Sequence, residues 1–465
     1  MYQKHTFPAY FGILIFARIH DKIKIIGYML ELYMYFSSIC SDFITLFCNC
    51  YAATLSRCFV TAMQQTLSRC FVAVMWAFYQ QVLLGGYMAG SSFGEVFKVT
   101  TWGESHGYGI GAVVDGVPAG IPLSAEYIQK YLNRRKPGTT RYSTPRKEED
   151  EVIIESGVFE GKTTGCPVSL AILNKTQHSA DYSEIANYYR PGHADFGFDM
   201  KYGFRDYRGG GRSSGRETAA RVAAGAVAQA FLSELGIRVF AYTQSIGPVK
   251  LTEDIIKEIR KSALKNEFTF NDSPLYLPDA ETSRQAEDYL MALMKKKDSA
   301  GGTVECIATG VPAGIGEPVF GKLDARLAAA VMSIGAVKGI EIGDGFEAAM
   351  HTGSEDNDGF GMSDKIIMVS NHAGGILGGI SDGAPVILRA AIKATPSIAM
   401  EQSTVNRQGE EIKISIHGRH DPVIVPRAVV VVESMTALTL ADLLLLNMSS
   451  KIDNVKKVYG LQDGD

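Results

Sequence analysis

The sequence predicts an α+β fold from residue 88 onward. Short apolar runs with strand-like alternation are interspersed with helical patterns in mixed order, without the regular strand–helix–strand alternation of a doubly wound sheet. Glycine is the second sign: 44 of 48 glycines fall after residue 87, as expected of many tight turns and close backbone approaches. With 465 residues, 46% of them hydrophobic, the chain can bury one large core or two.

The elements follow in order. Phe93–Thr101 reads as a strand ending at the glycine-rich turn Gly103–Gly111, and Ile110–Val114 as a second strand. Ser124 is placed to cap a helix over Ala125–Arg135, which stops before Pro137–Gly138. Asp150–Gly157 and Val168–Leu173 read as strands. A polar, Gly- and Arg-rich stretch runs from Asn187 to Gly215, where Ser214 and Glu217 have capping-box spacing and open an Ala-rich helix from Arg216 to about Leu235. Helical patterns follow at 252–264, 281–297 and 323–333, and strands at 303–309, 386–392 and 412–416. Val423–Val432 is strand-like but interrupted by Pro426, and a last helix is expected over about 434–448.

Residues 1–87 differ in composition. They hold only nine charged side chains but five of the seven cysteines. Charges interrupt their early apolar runs, so no clean spanning helix is expected there. The basic start, single apolar block and cleavage site of a signal peptide are also missing in that order. We read 1–87 as an extension outside the catalytic fold and 88–465 as the catalytic domain, with organelle targeting as the alternative. Cys166 and Cys306 are the two cysteines beyond it, which fits reduced thiols in a cytoplasmic setting. Residues 88–465 carry 40 basic against 47 acidic side chains. That balance, with no reader motif, argues against nucleic acid as a partner, and no membrane is expected for this part.

The motifs point to anions. Arg134-Arg135-Lys136-Pro137-Gly138 and Arg141 crowd cations around a turn. Arg190-Pro-Gly-His193, Arg205, Arg208, Arg212 and Arg216 punctuate a loop containing Gly209–Gly211 and leading into a helix start. Guanidinium forks, bare backbone amides and a helix N-terminus suit phosphate or carboxylate. His106, His193 and Asp421 are titratable groups set among these glycines and arginines, as proton-transfer chemistry near neutrality would need. Gly103-Glu-Ser105-His106-Gly107 and Gly211-Arg-Ser213-Ser214-Gly215 also fit the G-x-S-x-G pattern of serine hydrolases. A hydrolase and a non-catalytic phosphate- or flavin-binding module are therefore the competing classes. His417 and His420 have no completing Cys or carboxylate pattern, so no metal is expected.

Taken together, these stretches resemble the chorismate synthase family from Met88 to about Leu446. Further matching runs are Asp115–Gly120, Val337–Gly345, Asn371–Ile380 and Gly418–Pro422. The resemblance implies a β-α-β sandwich with helices between antiparallel sheets, a homotetramer, and a lyase at the last step of the shikimate pathway. It implies conversion of 5-enolpyruvylshikimate 3-phosphate to chorismate and phosphate by a 1,4-anti elimination with reduced FMN, and NADPH as a flavin reductant in some members. By the same resemblance His106 donates a proton to the departing phosphate, His193 faces the flavin near N1, and Asp421 serves N5. Ser105, Arg135, Arg190 and Arg216 fall at substrate positions, and Arg135 and Arg141 at NADPH positions. Arg212, Ser213, Ser214, Gly335, Ala336, Gly378, Lys393, Ala394, Thr395, Pro396, Ser397 and Arg419 fall at flavin positions. Two departures stand out. Lys393-Ala-Thr-Pro-Ser397 replaces the usual Lys-Pro-Thr-Ser-Ser, and its Pro396 lacks an amide donor. Gly335 stands where Asn is common.

Overall fold

The computed structural model describes residues 90–138, 142, 148–175, 184–265, 273–416 and 421–460. The 1–87 extension, Arg141, His417, Arg419 and His420 lie outside them. Two five-stranded antiparallel sheets enclose a layer of helices. The first sheet comprises β1 (Ser92–Phe93), β2 (Lys98–Gly103), β3 (Gly109–Asp115), β4 (Val152–Ser156) and β5 (Val168–Leu173), in the order β1-β2-β3-β5-β4. The second comprises β6 (Arg238–Ile246), β7 (Val249–Lys250), β8 (Gly302–Thr309), β9 (Val337–Ile342) and β10 (Val386–Ile392), in the order β9-β10-β8-β6-β7.

The filling is made by α1 (Ala125–Arg135), α2 (Thr218–Glu234), α3 (Leu323–Met332) and α4 (Val425–Asn447). Helix α2 packs on β3 and on α4, and α4 packs on β6 and β8. Both central helices are buried nearly all round, as a helix between two sheets must be. Their crossing is close. A Cβ at Gly225 would lie 2.3 Å from the Cβ of Ser434, so only glycine fits. Helix α4 is long and apolar enough to cross a membrane, but most of it is buried inside the fold. Its hydroxyls are satisfied within the helix, Ser434, Thr436 and Thr439 each donating to the carbonyl four residues back. Its two carboxylates are satisfied outside it. Glu433 accepts both terminal nitrogens of Arg134 at 2.9 and 2.8 Å. Asp442 accepts the amides of Glu95, Val96 and Phe97 at 3.0, 2.7 and 2.9 Å.

The expected α+β sandwich is present, with three local corrections. Val423–Val432 is no strand. From Val425 on its valines belong to α4, because Pro426 sits in the first turn, where no amide donor is needed, and burial on all sides suits β-branched residues. Ser214 does cap, accepting the Arg216 amide at 3.2 Å, but a short 3-10 turn follows and α2 starts only at Thr218. Glu217 does not close the box, since its carboxylate takes the Arg221 guanidinium at 2.9 Å. Asp150 lies before β4 with φ +50°, outside any strand. By contrast, α1 spans Ala125–Arg135 as expected, its first turn capped by Ser124 accepting the Tyr127 amide at 3.2 Å.

Candidate active site

The loop after β2 carries Ser105 and His106. A Cβ at Gly209 would stand 2.7 Å from Cδ2 of His106 and 3.2 Å from Oγ of Ser105, so Gly209 lies directly on both side chains. Ser105 Oγ is buried without a hydrogen-bond partner among the described residues. Asn174, at the end of β5, ties this loop down by donating to the carbonyls of Glu104 and Gly107 at 3.0 and 2.9 Å. Its own oxygen takes Nε of Arg216 at 3.0 Å. Arg212 also supports the loop, donating to the Gly103 carbonyl at 3.0 Å and Thr101 Oγ1 at 2.6 Å. Ser213 Oγ donates to the Gly210 carbonyl at 2.7 Å.

Behind them lies a buried ionic chain. Asp150 accepts Nη2 of Arg135 at 2.8 Å on one oxygen and Nη1 of Arg216 on the other. Glu148 adds a contact to Arg216 at 2.6 Å. Arg427 pairs with Asp421 and donates to the Arg135 carbonyl at 2.9 Å. Burial pushes the Asp150 carboxyl up, but Arg135 and Arg216 together outweigh it and hold it below the ordinary value. Burial likewise pushes Arg135 down, to about 10, against the pull of Asp150. Arg135 is only 1% exposed. Its guanidinium donates to Asp150, to Thr218 Oγ1 and to the Gly215 carbonyl. The Arg-Arg run reads as surface charge, yet Ile128, Leu132 and Arg135 share the inward stripe of α1. Arg135 organises the site from behind.

A third group forms where the Arg190–His193 loop meets the Lys393–Ser397 segment. His193 Nε2 is 2.9 Å from Ser397 Oγ, and Nδ1 is 3.0 Å from the Pro191 carbonyl. A carbonyl only accepts, so Nδ1 carries the hydrogen. Burial, then the neighbouring Arg190, pushes the His193 pKa below its ordinary value. The neutral ring therefore presents Nε2 as an acceptor. Lys393 donates from Nζ to the Gly192 carbonyl at 2.9 Å and from its amide to Ala336 at 2.9 Å, which brings Gly335–Ala336 alongside. Pro396 packs where a Cβ on Gly192 would be 2.6 Å away. Thr395 Oγ1 is buried without a partner among the described residues.

Arg190 is not an open cation either. Asp195 holds it in a fork at 2.8 and 2.7 Å and also takes Arg205 at 2.9 Å. Burial raises the Asp195 carboxyl, and the two arginines overcome that and hold it below the ordinary value. Gly378 sits elsewhere. The Gly379 carbonyl accepts the Leu323 amide at 2.8 Å, so Gly378 lies at the start of α3. Gly335 follows the end of that ten-residue helix, about 15 Å along its axis.

These groups, the sandwich, and the loop order can be set against known proteins. The family model for chorismate synthase matches residues 97–445. The chain belongs to the chorismate synthase family. A chorismate synthase of Lachnoclostridium phytofermentans is 66% identical over 374 residues, covering 80% of this chain and 100% of that protein. One from Agathobacter rectalis is 61% identical over 373 residues, covering 80% of this chain and 99% of its own. A crystal structure of chorismate synthase matches with a TM-score of 0.63 at 35% identity, over 79% of this chain and 97% of that one. Chorismate synthase membership places the chain among enzymes of aromatic biosynthesis, at the last step of the shikimate pathway.

Within that family frame, sequence reasoning missed Asp150, Asn174, Asp195 and Arg427. Asp150 looks like one of four acids in the run 148–151. Only the tertiary structure selects it as the residue that faces two arginines.

Proposed function

We propose that this chain is a lyase that converts 5-enolpyruvylshikimate 3-phosphate to chorismate and phosphate by 1,4-anti elimination, with reduced FMN. The observation that supports this best is the contact of His193 with the Lys393–Ser397 segment, beside Ala336. It joins residues from three distant parts of the chain that the family resemblance assigns to one cofactor. The polar character of the groups fits a flavin: Thr395 Oγ1 is buried and uncommitted, and the neutral His193 offers Nε2. His193, Lys393, Thr395, Ser397 and Ala336 would hold it. The cofactor supplies transient electron donation that eases C–O cleavage.

The chain's own residues do the rest. His106 donates a proton toward the departing phosphate from beneath Gly209. Ser105 Oγ, buried and uncommitted, orients the phosphate-bearing end. Arg216 is held by Asp150, Glu148 and Asn174, so its position is fixed before substrate arrives and no reorganisation is needed as charge develops. Asp421 is held by Arg427 for proton transfer on the flavin side. We further propose NADPH as the flavin reductant, a homotetramer, and a cytoplasmic location. The last is consistent with free thiols at Cys166 and Cys306. An anaerobic assay of the chain with reduced FMN and 5-enolpyruvylshikimate 3-phosphate tests the main reading. Chorismate should form without net flavin oxidation, and its absence would refute the reading.

A further inference from the structure

Away from these groups, three metal-ligating side chains converge. Nδ1 of His372 is 2.7 Å from Oδ2 of Asp344, and Nδ1 of His351 is 3.8 Å from the same oxygen. All three ligand atoms lie within 4.8 Å of one another. Asp356 brings a second carboxylate, with Oδ1 3.3 Å from Nδ1 of His351. We propose that Asp344, His351 and His372 form a binding site for a divalent first-row transition ion such as Zn²⁺, with water completing the shell.

Geometry, frame and access support this. Bonds of about 2.0–2.2 Å place tetrahedral ligands about 3.3–3.6 Å apart. The observed separations of 2.7 and 3.8 Å from the Asp344 oxygen to the two imidazoles bracket that range. Loading therefore asks for side-chain shifts of up to about one ångström. Two imidazoles select a transition ion over Mg²⁺ or Ca²⁺, which prefer oxygen ligands throughout.

The backbone frame is built for the encounter. The Asp344 amide donates to the His372 carbonyl at 2.8 Å. Gly343 has φ +59°, and a Cβ there would sit 2.0 Å from that carbonyl, so a side chain at 343 would push His372 away from Asp344. Asp358 accepts the amides of His372 and Ala373 at 2.8 and 2.9 Å and fixes the loop from its other side. The cluster lines a cavity of about 1070 Å³, which gives an ion a path in and leaves room for a water ligand. None of the residues assigned above to substrate or flavin lines that cavity. The sequence hid the site because His351 and His372 are 21 residues apart with no local motif.

The test uses the full-length chain, stripped by a chelator and titrated with Co²⁺ while visible d–d absorption is followed, then with Zn²⁺ for stoichiometry. His351→Ala should bind one equivalent fewer than the parent, with its chelator-treated melting temperature unchanged. Counting the difference isolates this site from the cysteines of residues 1–87 and from His417 and His420. His351→Cys should restore the equivalent and add a thiolate-to-cobalt charge-transfer band. If the parent binds no ion, or His351→Ala binds as many as the parent, the proposal is overturned.

Discussion

The Asp150 chain and the His193 contact lie in one candidate site but handle polarity in opposite ways. Around Asp150, buried charges are paired with one another: two guanidiniums share one carboxylate, and Glu148 and Asn174 add contacts to Arg216. Around His193 the contacts are single hydrogen bonds and incompletely satisfied, with Thr395 Oγ1 left over. A buried matched network resists change, because losing one partner strands the others. An incompletely satisfied polar pocket is where a ligand gains most, since it supplies hydrogen bonds the protein lacks. Support and reception are thus assigned to different residues, and an arginine-rich sequence conceals which is which.

That contrast can be broken most forcefully at Asp150. Asp150→Asn leaves Arg135 and Arg216 unmatched and should cost about 3–5 kcal/mol of stability, measured by urea unfolding. A loss below about 1 kcal/mol would mean that the chain is not a unit. His106→Ala should lower turnover by roughly 10²–10⁴ with little change in unfolding, and unchanged turnover would remove His106 from proton transfer. Thr395→Val should leave stability nearly unchanged yet weaken reduced-flavin binding by up to about tenfold, the worth of one hydrogen bond. Flavin titration of the variant checks this, and equal affinity would show that Thr395 is not a receiving group.

The smallest effect is at His193, whose ring should titrate below 6.5 when followed by NMR. Because the folded state disfavours the charged ring, its stabilising contribution is complete above that ordinary value and is lost as pH falls through the folded value. His193→Gln should therefore lose less stability than the parent between about pH 7 and pH 5. A midpoint at or above 6.5 would contradict the tautomer and charge assigned here.

Local signals in the sequence were legible where local physics decides. Ser124 with the apolar spacing of Ala125–Arg135 is sufficient for α1. The Val429–Val432 run was misleading because β-branching favours strands only when neighbours do not decide, and here two sheets do. The His106 loop and the Lys393–Ser397 segment were legible as sites through their resemblance to a family. What organises them was not. Asp195 follows Arg190 by five residues, but nothing in the spacing says that it also captures Arg205. Arg135 was visible as a cation and invisible as a buried one. Its direction depends on which face of α1 meets the core.

The amides of Glu95–Phe97 close on Asp442, nearly the whole described length away. That clasp joins the first sheet to the helix that fills the sandwich, and the helix is made near the end of synthesis. Until it emerges, the two sheets have only part of their filling, and the second sheet leaves exposed the apolar face that α4 covers, the kind of surface that aggregates or recruits chaperones. Folding of both sheets is therefore tied to the arrival of residues 425–447. A ribosome stalled before residue 425 should release a protein that lacks the largest helix of its filling.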